Sequence, residues 1–159
     1  MKKILLDTTY ILPIFGIDVA IPDLKEKLSL WSKQNNLYIN SLSILEVKWK
    51  VLKLAKKVPS LLEFFSEGLF YLTHGSKFEI IPFYSYEVDY IATELHKFHK
   101  DYIDCSILSS AIINSEIFIT EEKDNMVKLL RNLSPDLYIY RKSRYKLEIL
   151  TFREAARKL

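Results

Sequence analysis

Lys3-Ile4-Leu5-Leu6-Asp7-Thr8-Thr9-Tyr10-Ile11-Leu12-Pro13 is the stretch whose reading decides the fold. Its aliphatic run suits a strand covered on both faces, as in a parallel sheet. The run stops at Asp7, and two threonines separate it from a second apolar run. A carboxylate at the end of a buried strand is expensive to desolvate unless other groups compensate. Whatever compensates Asp7 must come from elsewhere in the chain.

Working outward, short Ile/Leu-rich runs recur at Leu37–Ser41, Phe78–Pro82, Ile117–Thr120 and Leu147–Thr151, with the first at Lys2–Asp7. Longer periodic stretches separate them. Pro22 announces a helix over Asp23–Gln34 with Leu24, Leu28 and Trp31 on one face. Ser43–Lys57 places Leu45, Trp49, Leu52 and Ala55 on one side and lysines on another. Ser60–Leu72 is apolar nearly all round, which suits core or a subunit interface, and further helices are predicted over Ser85–His99, Ile103–Ser115, Asp124–Leu133 and the tail Phe152–Leu159. Strands alternating with helices predict an α/β domain with a central parallel sheet of about five strands, one domain over 1–159.

Composition narrows the function classes. The chain has 159 residues, 49% apolar and 27% charged, with a net charge of +3; that is too small an excess to declare nucleic-acid binding by itself. A single cysteine, Cys105, excludes a disulfide scaffold and reads as a small buried hydrophobe. Three glycines exclude Gly-rich phosphate loops. Asp7 interrupts the apolar N-terminal run, so no signal peptide is expected, and no run reaches the roughly 18 apolar residues of a membrane span. The expectation is a soluble, cytoplasmic protein with no membrane partner.

In open α/β sheets ligands bind beyond the carboxyl ends of the strands. Asp7 closes the first strand; Glu46 falls about a turn into the helix after the second; Asp104 opens an apolar helix; Thr120, Glu121, Glu122 and Asp124 follow the fourth strand. Asp7 could be only a helix cap, Asp104 only a cap or first-turn residue, and Glu46 only a first-turn acid favouring the helix dipole. Gathered in one pocket, they would repel one another unless a divalent cation compensated. Oxygen ligands without Cys or His pairs point to Mg²⁺ or Mn²⁺ rather than zinc.

The order of these signals resembles the PIN-domain ribonucleases, which include the VapC-type toxins of toxin–antitoxin pairs. The resemblance rests on "LLDTTYIL" (Leu5–Leu12), a glutamate after Ser41 at Glu46, "YIDCSILSSA" (Tyr102–Ala111), "IFITEEKD" (Ile117–Asp124) and "LEILTFREAARKL" (Leu147–Leu159). It covers nearly the whole chain. It implies a metal-dependent endoribonuclease cutting single-stranded RNA, with Asp7, Glu46 and Asp104 as metal ligands and catalytic acids. The family's fourth strand commonly ends in Thr-x-Asp; here Thr120-Glu121-Glu122 makes Glu122 the fourth acid, with Asp124 as a substitute. Thr8 and Thr120 would orient carboxylates or a metal-bound water by hydrogen bonding. The resemblance also implies an antitoxin partner and a homodimer.

For RNA contact the sequence offers Lys48 and Lys50 on the helix of Glu46, and Arg141 and Arg144 among Tyr138, Tyr140 and Tyr145; cations beside rings suit phosphates and stacked bases. A lysine-rich helix face is equally a solvated face. His96 and His99 read as residues of a helix C-terminal turn, favoured by the dipole. Two other readings stand beside the nuclease: a PIN-like module that binds RNA or protein with little cleavage, and an α/β interaction protein whose acids are caps.

Overall fold

Successive residues of a strand face opposite sides of its sheet, and here that alternation builds two layers of helices. In the computed structural model, which describes residues 1–134, 136–137 and 147–159, the strands are β1 (Lys3–Leu6), β2 (Asn36–Asn40), β3 (Phe78–Ile81), β4 (Ile117–Ile119) and β5 (Glu148–Leu150). They form one sheet in the order β3-β2-β1-β4-β5, every neighbouring pair parallel. The helices are α1 (Leu24–Gln34), α2 (Ser41–Leu54), α3 (Leu61–Phe70), α4 (Tyr86–His96), α5 (Tyr102–Asn114), α6 (Lys123–Arg131) and α7 (Phe152–Lys158).

Leu5, Tyr38, Phe118 and Ile149 face α4, α5 and α6, packing with Ile91, Leu95, Leu108, Ile112, Met126 and Leu129. From the opposite face, Ile4, Leu6, Leu37, Ile117, Ile119 and Leu150 pack with Trp31 of α1 and Phe152 of α7. Ile39 joins a third cluster with Val47, Val51, Phe65 and Leu72. Fully burying one such aliphatic or aromatic side chain is worth about 1.5–3 kcal/mol. The expected five-stranded parallel α/β sheet is therefore present, and the strand limits differ from expectation by a residue at most ends.

Two elements depart from the sequence reading. First, Thr8–Phe15 forms a 3-10 helix directly after β1. Asp7 caps it by accepting from the Thr8 N–H, and Gly16 ends it at φ 77° with its own N–H donated to Leu12 O and Pro13 O. Second, the inward face of α2 is Leu42, Ser43, Val47 and Val51, whereas Leu45, Trp49 and Leu52 are exposed, Trp49 at 46%. The helix starts at the very end of β2, where the Asn40 side chain accepts from the Leu42 N–H at 2.8 Å. That cap fixes the helix phase and turns Val47 and Val51 toward the third cluster.

Gly68 of α3 lets this helix lie against the 3-10 helix: a Cβ there would sit 2.5 Å from Ile14 O and 2.9 Å from the Phe15 ring. Backbone cannot yield as a flexible side chain can. Gly68→Ala is therefore expected to destabilise the protein by about 1–3 kcal/mol, the scale of overpacking, with an unchanged m-value in urea unfolding. A stability equal to wild type would show that α3 can shift freely.

Candidate active site

The chain runs from β1 outward to β2 and β3 on one side, then crosses to β4 and β5 on the other, so strand order reverses between β1 and β4. A crevice opens at such a switch point. Asp7 follows β1 there, its N–H donating to Ile119 O at 3.0 Å, and Thr120 follows β4 alongside it. Both oxygens of Asp7 are engaged: Oδ1 accepts from the Thr8 N–H at 2.7 Å, and Oδ2 from the Thr120 hydroxyl at 2.7 Å. The same Thr120 oxygen accepts from the Glu122 N–H at 3.1 Å, which shapes the turn after β4.

Glu46 lies in the second turn of α2, half-buried, and the Thr8 hydroxyl donates to its Oε2. Thr8 thus contacts two acids, one through its amide and one through its side chain. Asp104 lies in the first turn of α5 but does not cap it. Asp101 is the cap, accepting from the N–H groups of Ile103 at 2.8 Å and Asp104 at 3.4 Å. Of the two simple readings of Asp104, cap or first-turn residue, the structure has the second. Asp104 is instead paired with His99, Nε2 to Oδ2 at 2.9 Å. His99 lies beyond α4, in the turn before α5, so the dipole reading does not describe it.

The four acids feel one another. Burial first, then the charges of Asp104 and Glu122, push the Asp7 carboxyl above its ordinary range, against the lowering effect of its hydrogen bonds. Glu46 is raised by burial, with Asp7 and Asp104 adding to it and Lys50 opposing. Asp104 is raised by burial, with Asp101 and Glu122 adding and His99 opposing. Asp7 thus lies within range of the charges of Asp104 and Glu122, Glu46 within range of Asp7 and Asp104, and Asp104 within range of Glu122. Among the described residues no three His, Cys, Asp or Glu side chains form a ready metal cage.

Other expected residues take distinct places. Glu121, next to Glu122, accepts from the Tyr10 hydroxyl at 2.6 Å and from the Phe152 N–H at 3.3 Å, so it braces α7. The Glu122 carbonyl accepts from the Met126 N–H at 3.0 Å, while no described residue donates to its carboxylate. Asp124 is in the first turn of α6 and lines an open pocket of about 600 Å³ with Glu121, Glu122 and Glu154. In that pocket Glu154 is engaged by Lys123 at 2.6 Å, which with the Thr151 cap holds its carboxyl down to about 2. Lys48 sits over the Phe65 ring, 4.4 Å from its centre, and so packs on α3. Lys50 is exposed and close enough to Glu46 to lower it. Arg141 and Arg144 lie outside the described residues. Cys105 is buried, with its thiol pushed up to about 11, which makes it no nucleophile. A more enclosed cavity of about 450 Å³ lies between α1, the 3-10 helix and the turn Tyr71–Gly75, and none of the four acids lines it.

No protein-family model matches the chain, and no curated protein matches it in sequence. Solved structures do resemble it. One is a chain of VapBC2 from Rickettsia felis, crystallised bound to a DNA fragment from their promoter; it superposes with a TM-score of 0.61 at 22% identity, over 92% of this chain and 98% of that one. The fold is PIN-like. No described helix is long and apolar enough to cross a membrane.

Because burial raises the Asp7 carboxyl, the sign of its effect on stability is fixed. A carboxyl that binds its proton more tightly when folded lowers stability as pH rises from its unfolded value through its folded one, and the loss persists at neutral pH. Asp7→Asn is expected to raise the metal-free melting temperature at pH 7, by about 2–4 °C per kcal/mol for a chain of this size. The gain should shrink as pH falls toward the ordinary aspartate value of 3.8, measured by calorimetry across pH.

Proposed function

We propose that the protein is a metal-dependent endoribonuclease cutting single-stranded RNA, with Asp7, Glu46, Asp104 and Glu122 holding Mg²⁺ or Mn²⁺. One observation supports this reading most: near the β1/β4 switch point, burial and the charges of neighbouring acids together raise Asp7, Glu46 and Asp104. The donor set fits a hard cation, since every candidate ligand is a carboxylate oxygen. Glu46 and Asp104 each keep one oxygen clear of hydrogen bonds among the described residues, and Asp7 accepts one bond at each oxygen, leaving lone pairs. A ready cage is not required, because Mg²⁺ usually keeps several waters and takes only one or two carboxylates.

When bound, such an ion lowers the pKa of a coordinated water and offsets charge on a phosphodiester. The protein's part is to hold the acids still. Thr120 and the Thr8 amide pin Asp7, the Thr8 hydroxyl pins Glu46, and neither carboxylate can turn away to relieve repulsion. That preorganisation is paid in the free protein, before substrate arrives. Lys50, beside Glu46, is the described cation best placed to meet the RNA backbone. The fold shared with a chain of VapBC2 supports a cytoplasmic toxin with an antitoxin partner, and the exposed Leu45, Trp49 and Leu52 of α2 support a homodimer.

Mn²⁺-dependent cleavage of a labelled single-stranded RNA by the purified chain tests the reading. Asp7→Asn and Asp104→Asn are each expected to lower the rate by about 100-fold or more, the scale of losing one preorganised charge contact. Glu122→Gln should impair cleavage far more than Glu121→Gln, whose amide can still accept from Tyr10. Metal binding and RNA binding without cleavage would leave the non-cutting module; a melting temperature indifferent to Mn²⁺ would leave acids that are only structural.

A further inference from the structure

Between α4 and α5 a short turn, residues 97–101, delivers an imidazole to one of the four acids. His99 Nε2 stands 2.9 Å from Asp104 Oδ2. The backbone at His99 is held from both flanking helices: its carbonyl is 2.9 Å from His96 Nδ1 at the end of α4, and the Cys105 thiol of α5 points at the same oxygen at 4.0 Å. Asp101 closes the turn by capping α5. The ring is thus aimed by covalent and hydrogen-bonded constraints on both sides.

Asp104 needs such a partner. Asp7 and Glu46 are held by hydroxyls of Thr120 and Thr8. On α5 the nearest hydroxyl in sequence, Ser106, donates to Tyr102 O at 2.8 Å and is spent on its own helix. Among the described residues His99 is the side chain that hydrogen-bonds to Asp104. Both side chains are about one-third exposed, 32% and 31%, so water could satisfy either of them. A bond between two such accessible groups adds little to stability; its larger effect is on where the carboxylate points. In the Nε2–H tautomer the neutral ring donates to the carboxylate just as the imidazolium does, so the contact does not require a charged ring.

We infer that His99 is a positioning residue for Asp104: it occupies Oδ2 and presents Oδ1 to a divalent cation shared with Asp7 and Glu122. This rests on the nuclease reading. Hydrogen-bonded partners of ligating carboxylates commonly set metal affinity by 10–100-fold.

Mn²⁺ binding to the full chain, followed by the paramagnetic resonance signal of free Mn²⁺, tests this alongside RNA cleavage kinetics. His99→Ala is expected to weaken Mn²⁺ binding by about 10-fold or more, with KM for RNA unchanged and kcat recovered at saturating Mn²⁺. His99→Phe, which keeps a ring without a donor, should match His99→Ala. His99→Gln, whose amide can donate, should recover most of the affinity. Metal-free melting temperatures of the variants establish that they fold. Wild-type affinity in His99→Ala or His99→Phe, or a His99→Gln as weak as His99→Ala, would overturn the inference and leave the nuclease reading intact. A wild-type chain that binds no Mn²⁺ would overturn both.

Discussion

Burial of carboxyl groups at one end of the sheet governs this molecule: it is the first cause that raises Asp7, Glu46 and Asp104, and the charges of neighbouring acids add to it. Left to rotate, they would scatter into solvent. Instead Thr8, Thr120 and His99 tie three of them with single hydrogen bonds from neutral or weakly basic donors. Donors of this kind orient a carboxylate without fully neutralising it, as a lysine or arginine would. The group is held in place.

Strand order makes that arrangement possible. Because β1 is central and β4 is its neighbour on the far side from β2, the residues just past each strand fall beside one another although 113 positions separate Asp7 from Thr120. The α2 cap at Asn40 brings Glu46 in from the β2 side, and α5 brings Asp104 from the layer that covers Leu5 and Phe118. Glu46 and Asp104 sit on helices, and Asp7 and Glu122 lie within three residues of the ends of β1 and β4.

Much of this was legible in the sequence, for a physical reason. Strands buried on both faces read as continuous aliphatic runs, and Asp7 stands out where the first of them stops, as Glu46 and Asp104 stand out within apolar stretches of helix. The distinction between Glu121 and Glu122 was not legible locally, because it depends on Tyr10 and Phe152, residues distant in sequence. The pairing of His99 with Asp104 was hidden likewise: a histidine five positions from an acid has no periodic signature when a turn intervenes. On α2 periodicity misled. Leu45, Trp49 and Leu52 form a convincing apolar stripe, yet the phase set at Asn40 buries Val47 and Val51 instead. Hydrophobic spacing gives a helix its stripe; only its anchoring decides which way the stripe faces.

The threonine that clamps Asp7 is itself held by the last strand. Its N–H donates to Leu150 O at 2.9 Å, and one position further on Glu121 reaches the Phe152 amide and the Tyr10 phenol together. The carboxylate cluster is therefore closed by chain that is synthesised about thirty residues after the strand it completes, and domains emerge from synthesis N-terminus first. A nascent chain lacking β5 and α7 would carry all four acids without their final clamp.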